Sequence, residues 1–155
     1  MKKTLIAYFT RTGITKKLAE DTAKQTGADL FAIDPVKEYS SSYLICVGQA
    51  KLENLQNARP AMKAKPQNLQ DYDTIVVMFP IWWFTCPNII LTFLEENDLS
   101  GKTVIPVCTY GSSGKGSSEK AMTKVCKNAT FKPCIEATGF KDKAVAAIVA
   151  AIDEA

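Results

Sequence analysis

The six residues Thr10-Arg11-Thr12-Gly13-Ile14-Thr15 bring together three hydroxyls, a guanidinium and a glycine. They follow the apolar run Leu5-Ile6-Ala7-Tyr8-Phe9 directly and open a stretch of helical periodicity. Hydroxyls donate hydrogen bonds, glycine lets the backbone approach a ligand, and the first turn of a helix leaves N–H groups unpaired at its positive end. A hydroxyl-rich loop at a strand-to-helix junction is therefore suited to receive an anion. The same threonines would also serve as ordinary helix caps, so the loop alone leaves both readings open.

Two other stretches are unusual in composition. Phe79-Pro80-Ile81-Trp82-Trp83-Phe84 gathers both tryptophans of the chain. If that stretch is extended, successive rings point to opposite sides and one of them packs in the core. Thr109-Tyr110-Gly111-Ser112-Ser113-Gly114-Lys115-Gly116 is rich in small and hydroxylated residues. It is not a nucleoside-triphosphate loop, because Ser117 stands where that motif requires lysine after its second glycine.

What is missing narrows the chemistry. The chain has no histidine, which removes histidine metal sites, Ser-His and Cys-His nucleophile pairs and the usual general base. Chemistry must then come from a bound cofactor, or from carboxylates and cysteines. The five cysteines are odd in number and form no C-x-x-C pair, which fits free thiols in a reducing cytoplasm. The net charge of +3 is modest and the lysines are dispersed, which argues against a nucleic-acid patch or a polybasic membrane anchor. The apolar runs are too short to span a bilayer, and the N-terminal one ends at Arg11 without a small-residue cleavage site.

The 155 residues suit one domain, and apolar runs alternate with helical patterns along all of it. Strands are expected at residues 5–9, 29–34, 74–80, 103–108 and 131–137. Helices are expected at residues 14–26, 42–57, 88–97, 117–127 and 141–152. The first helix should bury Ile14, Leu18, Ala19, Thr22, Ala23 and Thr26, and the fourth Ala121, Met122, Val125 and Cys126. Strands alternating with helices predict an α/β fold with a doubly wound five-stranded parallel sheet and helices on both faces. In such sheets ligands bind beyond the carboxyl ends of the strands, where the strand order reverses. With the order 2-1-3-4-5, the three unusual loops follow strands one, three and four and would meet at that edge.

These three motifs, Thr-x-Thr-Gly-x-Thr, Pro-Ile-Trp-Trp and Thr-Tyr-Gly-Ser-Ser-Gly, resemble those of the flavodoxin-like FMN-binding proteins. The likeness extends over nearly the whole chain and is strongest to the short bacterial type. It implies a single flavodoxin-like domain over residues 1–155, FMN as cofactor, and Thr10, Arg11, Thr12, Gly13, Ile14 and Thr15 around the FMN phosphate. It also implies that Pro80, Ile81, Trp82, Trp83 and Phe84, with Thr109, Tyr110, Gly111, Ser112, Ser113 and Gly114, line the isoalloxazine ring. Cys86 and Cys108 fall beside these loops and could approach the ring, although buried structural thiols are the commoner case. The family loop usually carries Asn where this chain has Ile14, which implies one fewer side-chain hydrogen bond near the phosphate. Flavodoxins that carry electrons are usually acidic, whereas this chain is slightly basic.

The resemblance implies cellular redox chemistry through bound FMN, either electron transfer to a redox partner protein or two-electron reduction. The alternatives are an NAD(P)H-dependent quinone-type reductase with a small acceptor, and a non-redox binding module that keeps the fold as scaffold. No side chain is assigned a catalytic role, no metal site is expected, and the place of action is expected to be the cytoplasm. Arg11 and Lys115 fall in the expected flavin loops, whereas none of the three loops contains Asp or Glu. That charge pattern favours a two-electron reductase over an acidic carrier.

Overall fold

A computed structural model describes residues 3–110, 113–137 and 141–155. The central strands β1 (Thr4–Tyr8), β3 (Thr74–Pro80) and β4 (Thr103–Thr109) form the middle of a parallel sheet. β2 (Asp29–Ala32) pairs with β1 on one side. On the other side β4 pairs with two short strands, β5 (Thr130–Phe131) and β6 (Ile135–Ala137). The order is β2-β1-β3-β4-β5, as expected from the alternation of elements.

Alternation along the strands explains why the sheet has two dry faces. Leu5, Ala7, Phe9, Ile75, Val77, Phe79, Val104 and Cys108 belong to one buried cluster. Ile6, Tyr8, Val76, Met78, Ile105 and Val107 belong to the other. Successive side chains of a strand point to opposite faces, so a continuous apolar run is what a doubly covered strand requires. Helices α1 (Ile14–Thr26) and α5 (Lys141–Glu154) cover the second face, where Leu18, Ala19, Val145 and Ile148 are buried. Helices α3 (Asn88–Glu96) and α4 (Ser118–Val125) cover the first, through Ile89, Ile90, Phe93, Leu94 and Met122.

Helix α2 (Tyr43–Gln56) lies on the same side as α3 but buries only Cys46 and Ala50. Its C-terminal end is tied to α3 by Asn88, whose Nδ2 donates to the carbonyls of Glu53 (3.0 Å) and Ala58 (2.9 Å). Glu53 lies in the last turn of α2, whose carbonyls have no intrahelical partner, and Ala58 follows just beyond it.

Four expectations are corrected. The fifth strand is broken rather than continuous over residues 131–137. Lys132 N–H still donates to Val104 O (2.9 Å), Pro133 has no N–H, and Cys134 N–H turns to the carboxylate of Glu119 (3.3 Å). The second strand ends at Ala32 because the chain turns back, with Lys63 N–H donating to Asp34 O (2.8 Å) and Pro35 bridging to Met62. Ile14 is 58% exposed instead of buried, because it is the first residue of α1 and the inner face begins with Thr15. On α4, Met122 and Ser118 are the buried residues, whereas Ala121, Val125 and Cys126 are only partly covered.

Candidate functional site

The carboxyl ends of β1, β3 and β4 open into a cavity of about 740 Å³. All three loops singled out from the sequence reach it: Thr10, Arg11, Thr12, Ile14 and Thr15 from the first, Pro80 to Phe84 from the second, and Thr109, Tyr110 and Ser113 from the third. Gly13 and Gly114 act from behind as turn residues, with φ of 95° and 72°. Gly111 and Ser112 lie outside the described residues.

The first loop is held in shape by its own hydroxyls. Thr10 Oγ1 accepts from Gly13 N–H (3.0 Å), which leaves the Thr10 hydroxyl proton free to donate. Thr15 is buried, and its hydroxyl bonds to that of Thr109 at the end of β4 (2.9 Å). One of the two protons is used between them and the other remains for a ligand. No side chain caps α1, whose first intrahelical bond runs from Lys17 N–H to Gly13 O (3.0 Å). The first-turn N–H groups therefore keep the donor capacity expected of an anion-receiving helix end. Arg11 Nη2 donates to Ser41 O (3.0 Å), whereas its buried Nε has no partner.

The second loop is a tight turn, and this decides the roles of the two tryptophans. Trp82 N–H donates to Thr85 O (2.9 Å) and Thr85 N–H to Trp82 O (3.2 Å), with Trp83 at φ 53° and Phe84 at φ 63° between them. Two consecutive left-handed residues make a type I′ turn, normally built from Asn and Gly, so bulky aromatic residues there are strained. Trp82 is locked edge-on against Phe9 (5.3 Å) and Tyr39 (4.8 Å). Trp83 turns out toward α2, where its Nε1–H donates to Val47 O (2.9 Å) and Lys51 Nζ lies 4.8 Å from its ring. The turn is braced from the third loop by Ser117 N–H, which donates to Phe84 O (2.9 Å). That approach requires Gly116, since a Cβ there would stand 1.8 Å from Phe84 O.

Several lining residues escape the motif reading. Tyr43, Cys46, Val47 and Ala50 of α2 form one wall, and Leu18, Ala137 and Ala144 complete the lining. The signal for the α2 wall was available: Tyr43-Leu44-Ile45 is apolar for a helix start outside the core. Cys86 and Cys108 are buried, as structural thiols are, and do not line the cavity; Cys46 does. Burial pushes the Cys46 thiol up, and the Arg11 guanidinium beside it only partly offsets this. Burial also raises Cys86, to about 12. Neither is a ready thiolate at neutral pH.

The charge pattern around the third loop also differs from expectation. Glu136 on β6 reaches it: Tyr110 OH donates to Glu136 Oε2 (3.2 Å) and Lys115 N–H to Oε1 (3.3 Å). Lys115 Nζ pairs with Glu119. The loop therefore carries a carboxylate that its own sequence lacks, and its lysine is already neutralised. The described residues contain no cluster of groups suited to hold a metal ion, and no helix among them is long and apolar enough to cross a membrane.

A doubly wound sheet of this order, with a cleft at its switch point and an uncapped helix N-terminus beside it, defines an α/β protein of the flavodoxin-like class. The flavodoxin family model matches residues 3–150, and the chain belongs to that family. Among solved structures, a candidate flavoprotein from Bacteroides eggerthii is 34% identical, with 99% of each chain covered and a TM-score of 0.87. A second, from Bacteroides uniformis, is 33% identical over 96% of this chain and 98% of that one, with a TM-score of 0.86. A flavoprotein from Lactobacillus acidophilus, solved in complex with FMN, shares the fold at 18% identity, covering 88% and 93%, with a TM-score of 0.77. No curated protein matches the chain.

Proposed function

We propose that this flavodoxin-family protein binds FMN in the 740 Å³ cavity and works in cellular redox chemistry as a two-electron reductase. When bound, FMN supplies the electron transfer itself, and the protein supplies binding, orientation and a shielded site. The observation that carries the reading is the convergence of a donor-lined helix end and two aromatic walls on one cleft.

In this reading the phosphate lies at the start of α1, where the hydroxyls of Thr10, Thr12 and Thr15 and the first-turn N–H groups donate to it. Arg11 contributes charge, and its unpartnered Nε gains an acceptor. Ile14, in place of the usual Asn, offers only its backbone N–H. The ring lies between the Pro80, Ile81, Trp82, Trp83 and Phe84 turn and the loop of Thr109, Tyr110, Gly111, Ser112, Ser113 and Gly114. Trp82 serves as fixed wall and Trp83 as outer flank.

The mouth of the cavity favours a small acceptor and an NAD(P)H donor over a docked carrier partner. Ile14, Tyr43, Trp83 and Phe84 line the opening and are largely exposed, giving it an apolar rim. A rim of that kind suits a flat quinone-type acceptor, whereas steering of a basic redox protein calls for carboxylates. Glu136 touches the lining side chain of Tyr110, and it is held there by the Tyr110 hydroxyl and Lys115 N–H. The free thiols of all five cysteines support a reducing, cytoplasmic setting.

The visible spectrum of the purified protein, followed by FMN titration of the apoprotein, tests the cofactor. Flavin absorbance with FMN, and no comparable uptake of FAD, is the expected result; a protein that stays colourless in excess FMN refutes it. Steady-state oxidation of NADH or NADPH with a quinone then tests the reductase. Reduction of a partner protein without turnover on either nicotinamide would restore the carrier.

A further inference from the structure

Helix α2 presents a second surface that the cavity does not use. Leu44, Ile45, Leu52 and Leu55 are 54–80% exposed, and with Gly48 they lie on one stripe facing away from buried Cys46 and Ala50. Gly48 is the one glycine inside a helix among the described residues, and a Cβ at its position would meet only open space. Glycine in a helix interior is destabilising relative to alanine, and nothing within this chain approaches Gly48 closely enough to require it.

The pattern is self-complementary. Ile45, Gly48, Leu52 and Leu55 follow the three-four-three spacing of a helix–helix seam. Ile45 and Leu55 lie five residues either side of Ala50, and Gly48 and Leu52 two residues either side. A two-fold axis therefore sets the notch at Gly48 of one helix opposite the Leu52 knob of an antiparallel copy. The same rotation places Ile45 opposite Leu55. An interface of this isologous kind is what closed dimers use.

We infer that a second copy of this chain packs antiparallel along α2, each Leu52 seated over the Gly48 of the other. Charge argues for a copy over other occupants. Residues 42–57 contain only Lys51 and Glu53; Lys51 lies over the Trp83 ring and Glu53 accepts from Tyr39 OH. A lipid surface would call for a cationic flank and a charged partner protein for an opposite charge, and the stripe has neither. The 14-residue helix is about 21 Å long. Gln49 and Gln56 flank the stripe on one side and Trp83 on the other. This surface borders the cavity at Trp83, but its leucines, Ile45 and Gly48 do not line it, and its test needs no cofactor.

Sedimentation velocity of the full chain from about 1 to about 200 μM tests the assignment. A concentration-dependent monomer–dimer equilibrium is expected. Leu52→Glu and Gly48→Leu should each weaken the dimer at least about 100-fold, because every dimer contains the altered contact twice. Both positions are open in the monomer, so circular dichroism and the melting temperature at high dilution should show the fold intact. Gly48→Ala should raise the melting temperature of the dilute monomer. A protein that stays monomeric at about 200 μM, including one that cosediments with phosphatidylcholine vesicles, overturns the inference. So does a dimer whose affinity neither variant changes.

Discussion

Thr12 and Thr15 sit in the same loop, yet their substitution by valine should have different consequences, and the difference tests the phosphate reading. Thr12 is exposed on the cavity wall, so Thr12→Val removes a donor to the ligand and little else. A hydrogen bond to a charged group is worth about 1.5–3 kcal/mol, so FMN affinity should fall roughly 10- to 150-fold. Riboflavin, which lacks the phosphate, should bind as before. Thr15 is buried and bonded to Thr109, itself almost fully covered. Thr15→Val should therefore also strand the Thr109 hydroxyl, at a cost of about 1–3 kcal/mol of folding stability. Because Thr109 also lines the cavity, riboflavin affinity should fall too, though by less than FMN affinity. The double variant Thr15→Val/Thr109→Val replaces both partners with apolar groups of the same shape and should recover most of the lost stability. Fluorescence titration with FMN and riboflavin, together with urea unfolding of the apoproteins, supplies every number in the cycle. If Thr12→Val weakens riboflavin as much as FMN, the loop does not read phosphate. If the double variant is no more stable than Thr15→Val, the hydroxyl pair is not the link between α1 and β4.

Ile14→Asn should tighten FMN binding by up to about tenfold and leave riboflavin unchanged in the same titration, since Ile14 is exposed and its loss leaves no hole. Gly116→Ala should lower both stability and flavin affinity. The added Cβ meets Phe84 O, and φ of 55° suits glycine, so the backbone term alone is about 1 kcal/mol and the clash adds to it. Urea unfolding and FMN titration measure the two losses. Glu53→Gln should change how stability depends on pH. Burial raises the Glu53 pKa above its ordinary value, so the protonated form is favoured in the folded state. The corresponding stability is complete below the unfolded value near 4.5 and is lost as pH rises through the folded one. Thermal melts from pH 4 to pH 8 should therefore show the variant gaining on the parent as pH rises, with Gln still accepting from Tyr39 OH. A parallel pair of curves would refute the assignment.

The elements that position the cleft were legible because their signals are local. A parallel strand buried on both faces must be apolar throughout, and Thr74-Ile75-Val76-Val77-Met78-Phe79 reads that way without any partner in view. The same holds for the helix periodicity after Thr15 and for the Thr10 to Thr15 loop, whose place between a strand and a helix fixes its donors at a helix end. Strand order then brought three sequence-distant loops together, and the cavity is found there. What the tertiary structure decided depends on contacts that no window of sequence contains. Trp82 and Trp83 are chemically alike, and only the tight turn, held by Gly116 and Ser117 from another loop, turns one into the core and the other onto α2. Glu136 is remote in sequence from Tyr110, yet strand pairing sets Cys108 opposite it and so carries a carboxylate to a loop that has none of its own. Helix α2 supplies a wall through Cys46 and Ala50 because Asn88 anchors its far end, and that tie joins residues 30 to 35 positions apart. Periodicity reports which face of an element is buried; what it is buried against is set by the packing of the whole chain.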